Sequence, residues 1–150
     1  MWRTSAVALL ACGSLLVNSG CAINRATASV TPGADIAAAR TFYVAQTPED
    51  ERGIEKLIRD NLVKRGYKAN AGPATANPPA ADVVVTYVDR WMWDITMYML
   101  ELTVTFRNPT NSFPMAVGNS YHTSLSRLSP EQMVDEVLGN IFNKVKETGK

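Results

Sequence analysis

Few side chains in this sequence are of a kind that could do chemistry. It contains one histidine, His122, set in Ser120-Tyr121-His122-Thr123-Ser124. On an extended segment Ser120, His122 and Ser124 share one face. With Asp89 or Asp94 they would supply the residue types of a nucleophile, a base and an orienting carboxylate. No nucleophile-elbow spacing and no glycine-rich oxyanion loop accompanies them, so the expectation is a polar strand histidine and no enzyme activity. One histidine without a spare thiol leaves a zinc site to be built mainly from carboxylates, which is uncommon. The nine glycines are scattered and form no phosphate-binding loop. Neither a metal nor a diffusible cofactor is expected. Lys plus Arg number 15 against 14 Asp plus Glu, and no basic run occurs, which argues against a nucleic-acid partner.

A different kind of surface is encoded in Trp91-Met92-Trp93-Asp94-Ile95-Thr96-Met97-Tyr98-Met99, which holds two of the three tryptophans and three of the six methionines. Trp, Tyr and Met are favoured at binding surfaces. Trp91, Met92, Trp93, Met97 and Met99 are therefore candidate contacts for a partner protein, a lipid or a small apolar ligand. The alternative is that Trp91 or Trp93 folds over the helix ends and completes the core.

The two cysteines, Cys12 and Cys21, sit in or next to an apolar amino-terminal run. Arg3 gives a positive start, and Thr4 to Val17 form a stretch of about 14 residues, within signal-peptide range and short of the roughly 20 that a spanning helix needs. Cys12 would leave with that run, so no disulfide framework can form. The segment Val17-Asn18-Ser19-Gly20-Cys21 resembles the lipobox of bacterial lipoproteins, with Asn18 where an aliphatic residue is usual. The resemblance implies that residues 1–20 are a signal peptide and that Cys21 carries a thioether-linked diacylglycerol and an N-acyl chain such as palmitate. With Ala22 rather than Asp next, it also implies transfer to the periplasmic face of the outer membrane. Two or more acyl chains hold a protein stably on a membrane, where one does not. The alternative is cleavage without lipid, at Ala26-Thr27-Ala28 or at Gly20-Cys21-Ala22, which would yield a soluble periplasmic protein.

The chain has 150 residues, of which 46% are hydrophobic, enough for one folded domain. Residues 21–38 are rich in Ala, Thr and Ser and read as the lipidated cysteine with a flexible tether, leaving 39–150 as a single domain. Thr41 to Val44 is a short strand candidate. Thr47-Pro48-Glu49-Asp50 reads as a capped helix start, with Ile54, Leu57, Ile58 and Leu62 on one face and Gly66 as the stop. Asn70 to Ala81, with three prolines, reads as a surface loop. Asp82 to Trp93 reads as a central strand. Met97 to Arg107 follows as a strand with Tyr98, Leu100, Leu102, Val104 and Phe106 on its dry face. Phe113 to Thr123 is a third strand of the group. Ser129-Pro130-Glu131-Gln132 is a capping box opening a helix with a continuous apolar stripe. The order β-α-β-β-β-α predicts an α+β domain: a four-stranded, mainly antiparallel sheet with two amphipathic helices on one face.

This order behind a lipobox resembles the two-helix, four-strand envelope lipoproteins, among them the lipopolysaccharide-assembly lipoprotein and families of unknown function. The residues that carry the resemblance are Arg40-Thr41-Phe42-Tyr43-Val44, Leu62-Val63-Lys64-Arg65-Gly66-Tyr67 and Ala81-Asp82-Val83-Val84-Val85. It spans residues 40 to 145 and implies a non-enzymatic accessory or structural role in contact with another envelope protein. A carrier of a small apolar ligand or lipid is the alternative.

Overall fold

The computed structural model describes residues 23–75 and 78–149; the expected signal peptide, residues 1–20, and the expected lipid attachment at Cys21 fall outside the described residues. Six strands form one mixed sheet: β1 (Arg25–Val30), β2 (Thr41–Gln46), β3 (Lys68–Pro73), β4 (Val83–Asp94), β5 (Thr96–Arg107) and β6 (Pro114–Tyr121). Two helices accompany them, α1 (Ile54–Lys64) and α2 (Pro130–Thr148). The strand order is β1-β6-β5-β4-β2-β3. β2 is parallel to both β3 and β4, and the remaining pairs are antiparallel.

The four-stranded, mainly antiparallel sheet is thereby corrected to a six-stranded mixed one. Both additional strands are edges drawn from segments with weak strand patterns. β1 comes from the span assigned to the tether; Arg-Ala-Thr-Ala-Ser-Val lacks alternating bulk, and pairing with β6 along its length and packing against α2 define it instead. β3, Lys-Ala-Asn-Ala-Gly-Pro, overlaps the stretch read as a loop. Its proline stands at the last position of an edge strand, where a missing N–H is tolerated. Helix α1 is the crossover that two parallel neighbours, β2 and β3, require.

β2 is covered on both faces. Phe42 and Val44 join the core beneath the helices, while Tyr43 and Ala45 point the other way and are also buried. Pro73 is level with Gln46 and Val83 with Phe42, so residues 74–82 must travel back along β2. Ala74, Thr75 and Pro78 border the same depression as Tyr43 and Ala45, and the Tyr43 hydroxyl donates to the Pro73 carbonyl at 2.9 Å.

Ser129 caps α2 as a capping box with Gln132, and Met133, Val137, Leu138 and Ile141 are fully buried along its stripe. This helix lies on the small-residue face of β6, where Ala116, Gly118 and Ser120 are buried. A Cβ on Gly118 would fall 2.8 to 2.9 Å from side-chain carbons of Ile141 and Val137. Helix α1 starts later than expected, at Ile54, behind Gly53 in a left-handed conformation (φ 73°). Thr47 is not its cap. β5 also departs from strict alternation. Arg90 faces Glu101 and Trp91 faces Met99, so Leu100 is skipped, and Met99 rather than Tyr98 or Leu100 joins Leu102, Val104 and Phe106 in the core.

Gly118→Val should destabilise the domain by about 1–3 kcal/mol through overpacking against α2. Urea unfolding would measure this, and a change within about 0.5 kcal/mol, as at an ordinary surface site, would contradict the close approach.

Candidate functional site

The single histidine is placed in a buried polar cluster. His122 follows β6, is 6% exposed, and its Nε2 lies 2.9 Å from Glu136 Oε2 on α2. Ser120, fully buried, donates to the same carboxylate oxygen at 2.5 Å. The serine and the histidine thus converge on Glu136 and not on each other, and Ser120 has no path to a substrate. His122 Nδ1 is buried without a partner. The other carboxylates considered from sequence lie elsewhere: Asp89 accepts a hydrogen bond from Trp91 Nε1 at 2.6 Å, Asp94 ends β4 at the hairpin turn, and Ser124 opens a short 3-10 turn. Among the described residues, no group of three or more His, Cys, Asp or Glu side chains is arranged to hold a metal. Glu136 could not be singled out from sequence, because it sits on the polar side of an ordinary amphipathic pattern.

A second buried cluster holds the start of α1. The Asp50 carboxylate accepts from the backbone N–H groups of Arg52 (2.7 Å), Gly53 (2.9 Å) and Ile54 (2.8 Å), and from the Tyr87 hydroxyl (2.5 Å). With the longer contact from the Glu55 N–H (3.4 Å), five donors converge on one carboxylate, which supplies the anionic cap that the helix N-terminus favours. Burial pushes the Asp50 carboxyl up, but the Tyr87 hydroxyl and these amides outweigh it and hold it below its ordinary value. Glu55, 3% exposed, is pushed the other way, by burial first and then by the neighbouring Asp50, and its Oε2 has no partner. Burial and Asp50 also raise the Tyr87 hydroxyl. A proton on Glu55 would relieve the repulsion between the two neighbouring carboxylates, the direction in which burial and Asp50 push it.

The exposed chemistry of the molecule is apolar. Beyond the level of Arg90 and Glu101, the β4–β5 hairpin overhangs the rest of the sheet by four residue pairs, Trp91–Met99 to Asp94–Thr96. Trp91 is tied down at the base, with the Arg52 guanidinium 4.3 Å from its ring centroid, and Met99 is in the core. Met92, Trp93 and Met97 are exposed, as is the turn residue Ile95, which is 88% exposed. The five residues proposed from sequence therefore separate into two packed and three free. Ile95 has φ 60°, a conformation that costs a β-branched residue about 1–2 kcal/mol and that tight hairpins ordinarily assign to Gly or Asn. Sequence alone identified the Trp/Met content but could not count Ile95, nor bring Leu125 and Ile23, both exposed, to the same end of the sheet. The groove between the helices, about 580 Å³, is bordered mainly by polar groups, Asp60, Asn61, Lys64 and Asp135 among them.

No protein-family model matches the chain, and no curated protein matches it in sequence. Among solved structures, the fold is similar to the PelC dodecamer from Paraburkholderia phytofirmans, at 16% identity and a TM-score of 0.56, covering 79% of this chain and 96% of that one. A single-substitution variant of the same dodecamer matches at 15% identity with the same TM-score and coverage. A minor lipoprotein from Acinetobacter baumannii is a looser neighbour, at 15% identity and a TM-score of 0.35 over 74% of this chain and 93% of that one. At these identities the likeness to PelC is one of fold.

Because the folded-state affinity of Glu55 for its proton is raised, the stability it lends is complete below its ordinary value of 4.5 and is lost as pH rises above it. Glu55→Gln should therefore gain stability relative to wild type as pH is raised from 4.5 to neutrality. Paired urea titrations across that range would show it, and a constant difference would mean the carboxyl is not perturbed.

Proposed function

We propose that this chain is an exported, lipid-anchored module of the bacterial envelope, held at Cys21 on the periplasmic face of the outer membrane, working by contact and not by catalysis. The observation that carries this reading is the start of the folded domain. β1 begins at Arg25 and is paired with β6 from its first residue, Arg25 opposite Tyr121. Cleavage before Cys21 leaves this strand whole. Cleavage after Ala28 would remove four of its six residues and with them most of an edge of the sheet, which disfavours the Ala26-Thr27-Ala28 site. No helix among the described residues is long and apolar enough to cross a membrane, and a lipid on Cys21 would supply a stable attachment without one.

A contact role is supported by where the side chains stand. Ser120, His122, Asp50 and Glu55, the polar groups that cluster in the interior, are buried, the first two engaged with Glu136 and Asp50 with a helix end. Exposed at the hairpin tip are the hydrophobic side chains Met92, Trp93, Ile95 and Met97. Another envelope component is the partner class this module is proposed to serve.

Intact mass of the protein extracted from membranes tests the anchor and the processing site together. The expected species begins at Cys21 and carries a diacylglycerol and an N-acyl chain. A species beginning at Ile23 or Ser29 without acyl mass would overturn the reading.

A further inference from the structure

We propose that the end of the sheet bearing the β4–β5 hairpin tip is a second, non-covalent membrane contact, seated in the lipid leaflet beside the anchor so that the domain stands with this end down. The proposal rests on the anchored reading above. Its ground is the register of three strands. Arg25 is opposite Tyr121, Tyr121 opposite Glu101, and Glu101 opposite Arg90. β1 runs away from this level toward Val30, so the chain preceding Arg25 leaves the sheet on the side of the overhanging hairpin. Ser126 donates a hydrogen bond to Asn24, and Arg127 donates to Thr96 Oγ1 at 2.7 Å. The chain entry, the segment after β6 and the tip therefore form one continuous end.

The reach is matched. From Arg90 to Asp94 the hairpin rises four residues beyond the Arg25 level, about 13 Å at the rise of a strand. Cys21 precedes Arg25 by the same four residues, which can span at most about 14 Å. A lipid on Cys21 is thus held within about 14 Å of Arg25, at the end of the sheet where the hairpin overhangs, with β6 lying between β1 and β5.

The distribution of exposed apolar side chains agrees. Of the nine exposed large hydrophobics among the described residues, six lie at this end: Ile23, Met92, Trp93, Ile95, Met97 and Leu125. They do not form a single flat patch. Trp93 pairs with Met97 on one face of the ribbon, and on the other Met92 faces Tyr98, which is buried beside the Arg127 guanidinium, so exposed apolar side chains stand on both faces, Trp93 and Met97 on one and Met92 on the other. A docking surface for a folded protein needs one complementary face, whereas a leaflet surrounds an inserted element. The flanking groups suit the headgroup level. The Arg25 guanidinium lies 5.5 Å from the Tyr121 ring centroid and that of Arg127 lies 4.8 Å from the Tyr98 ring centroid, and arginine and aromatic side chains are both at home at membrane interfaces. Asp94, in the turn, limits the depth to the headgroup and glycerol region, because a carboxylate is not carried into the hydrocarbon.

The test uses the full chain carrying Trp91→Phe, so that Trp93 is the one indole left after processing before Cys21. It is purified from membranes, checked for acyl mass, and reconstituted into phosphatidylethanolamine–phosphatidylglycerol vesicles. Residues 21–150 carrying Trp91→Phe and Cys21→Ser, free in buffer and so also with Trp93 as the one indole, give the aqueous reference. Seating predicts that Trp93 emission shifts to the blue in vesicles, loses its quenching by iodide, and is quenched by lipids brominated near the glycerol. Equal iodide quenching in both samples, with acylation present, would overturn the seating and leave the anchor standing. Protection from iodide without bromolipid quenching would assign the tip to another copy of the chain and also overturn it. A chain lacking acyl mass would remove the anchored reading itself.

Discussion

The backbone ladder between β1 and β6 decides how this molecule relates to whatever holds its amino terminus. Six residues with little side-chain bulk pair antiparallel along a strand whose own register to β5 is equally set. A one-residue slip would turn every side chain of β1 to the other face, and reversing the strand would send the chain out at the opposite end of the sheet. As built, the chain enters at the end where β4 and β5 run on past their neighbours. Cys21 precedes the first strand by only four residues, so the lipid proposed there would hold the domain close to the membrane, not on a long leash.

Two buried carboxylate clusters brace this end from behind. Asp50 gathers the first amides of α1 and the Tyr87 hydroxyl, and Arg52 from the same turn stacks on Trp91 at the base of the hairpin. Glu136 of α2 gathers Ser120 and His122, whose backbone N–H donates to the Leu100 carbonyl at 2.9 Å, at the residue skipped in the β4–β5 ladder. Buried polar networks of this kind specify one arrangement at the expense of accessibility, although Glu55 Oε2 and His122 Nδ1 are left without a partner. The strained Ile95 rests on this rigid base, and strain of that kind persists where the surroundings over-determine the backbone.

How much was legible in the sequence follows from which forces shape each element. The helix opening at Ser129 is written in local chemistry, since its capping box and proline act within one turn, and its stripe has a helical period. The two edge strands were not legible, because β1 and β3 are defined by partners far away in sequence and not by their own pattern. The late start of α1 was missed because the capping carboxylate, Asp50, acts from four residues ahead of Ile54 through a left-handed glycine. The alternation in β5 misplaced Tyr98 and Leu100 because a bulge is a property of the pair and not of either strand. Composition did reveal the concentration of Trp and Met between residues 91 and 99, but not which of them the fold would release. The contribution of Ile23 and Leu125 to the same end is a tertiary fact with no sequence signal.

The most direct test of this account is to compare the two ends of the sheet on a membrane. Spin labels would be placed singly at Leu125→Cys, beside the tip, and at Phe113→Cys, exposed at the opposite β5–β6 turn, in the acylated chain reconstituted into vesicles. Power saturation then reads exposure to oxygen, which partitions into lipid, against a water-soluble nickel chelate. The account predicts lipid-like accessibility at residue 125 and aqueous accessibility at residue 113. Aqueous accessibility at both, or the reverse pattern, would contradict it.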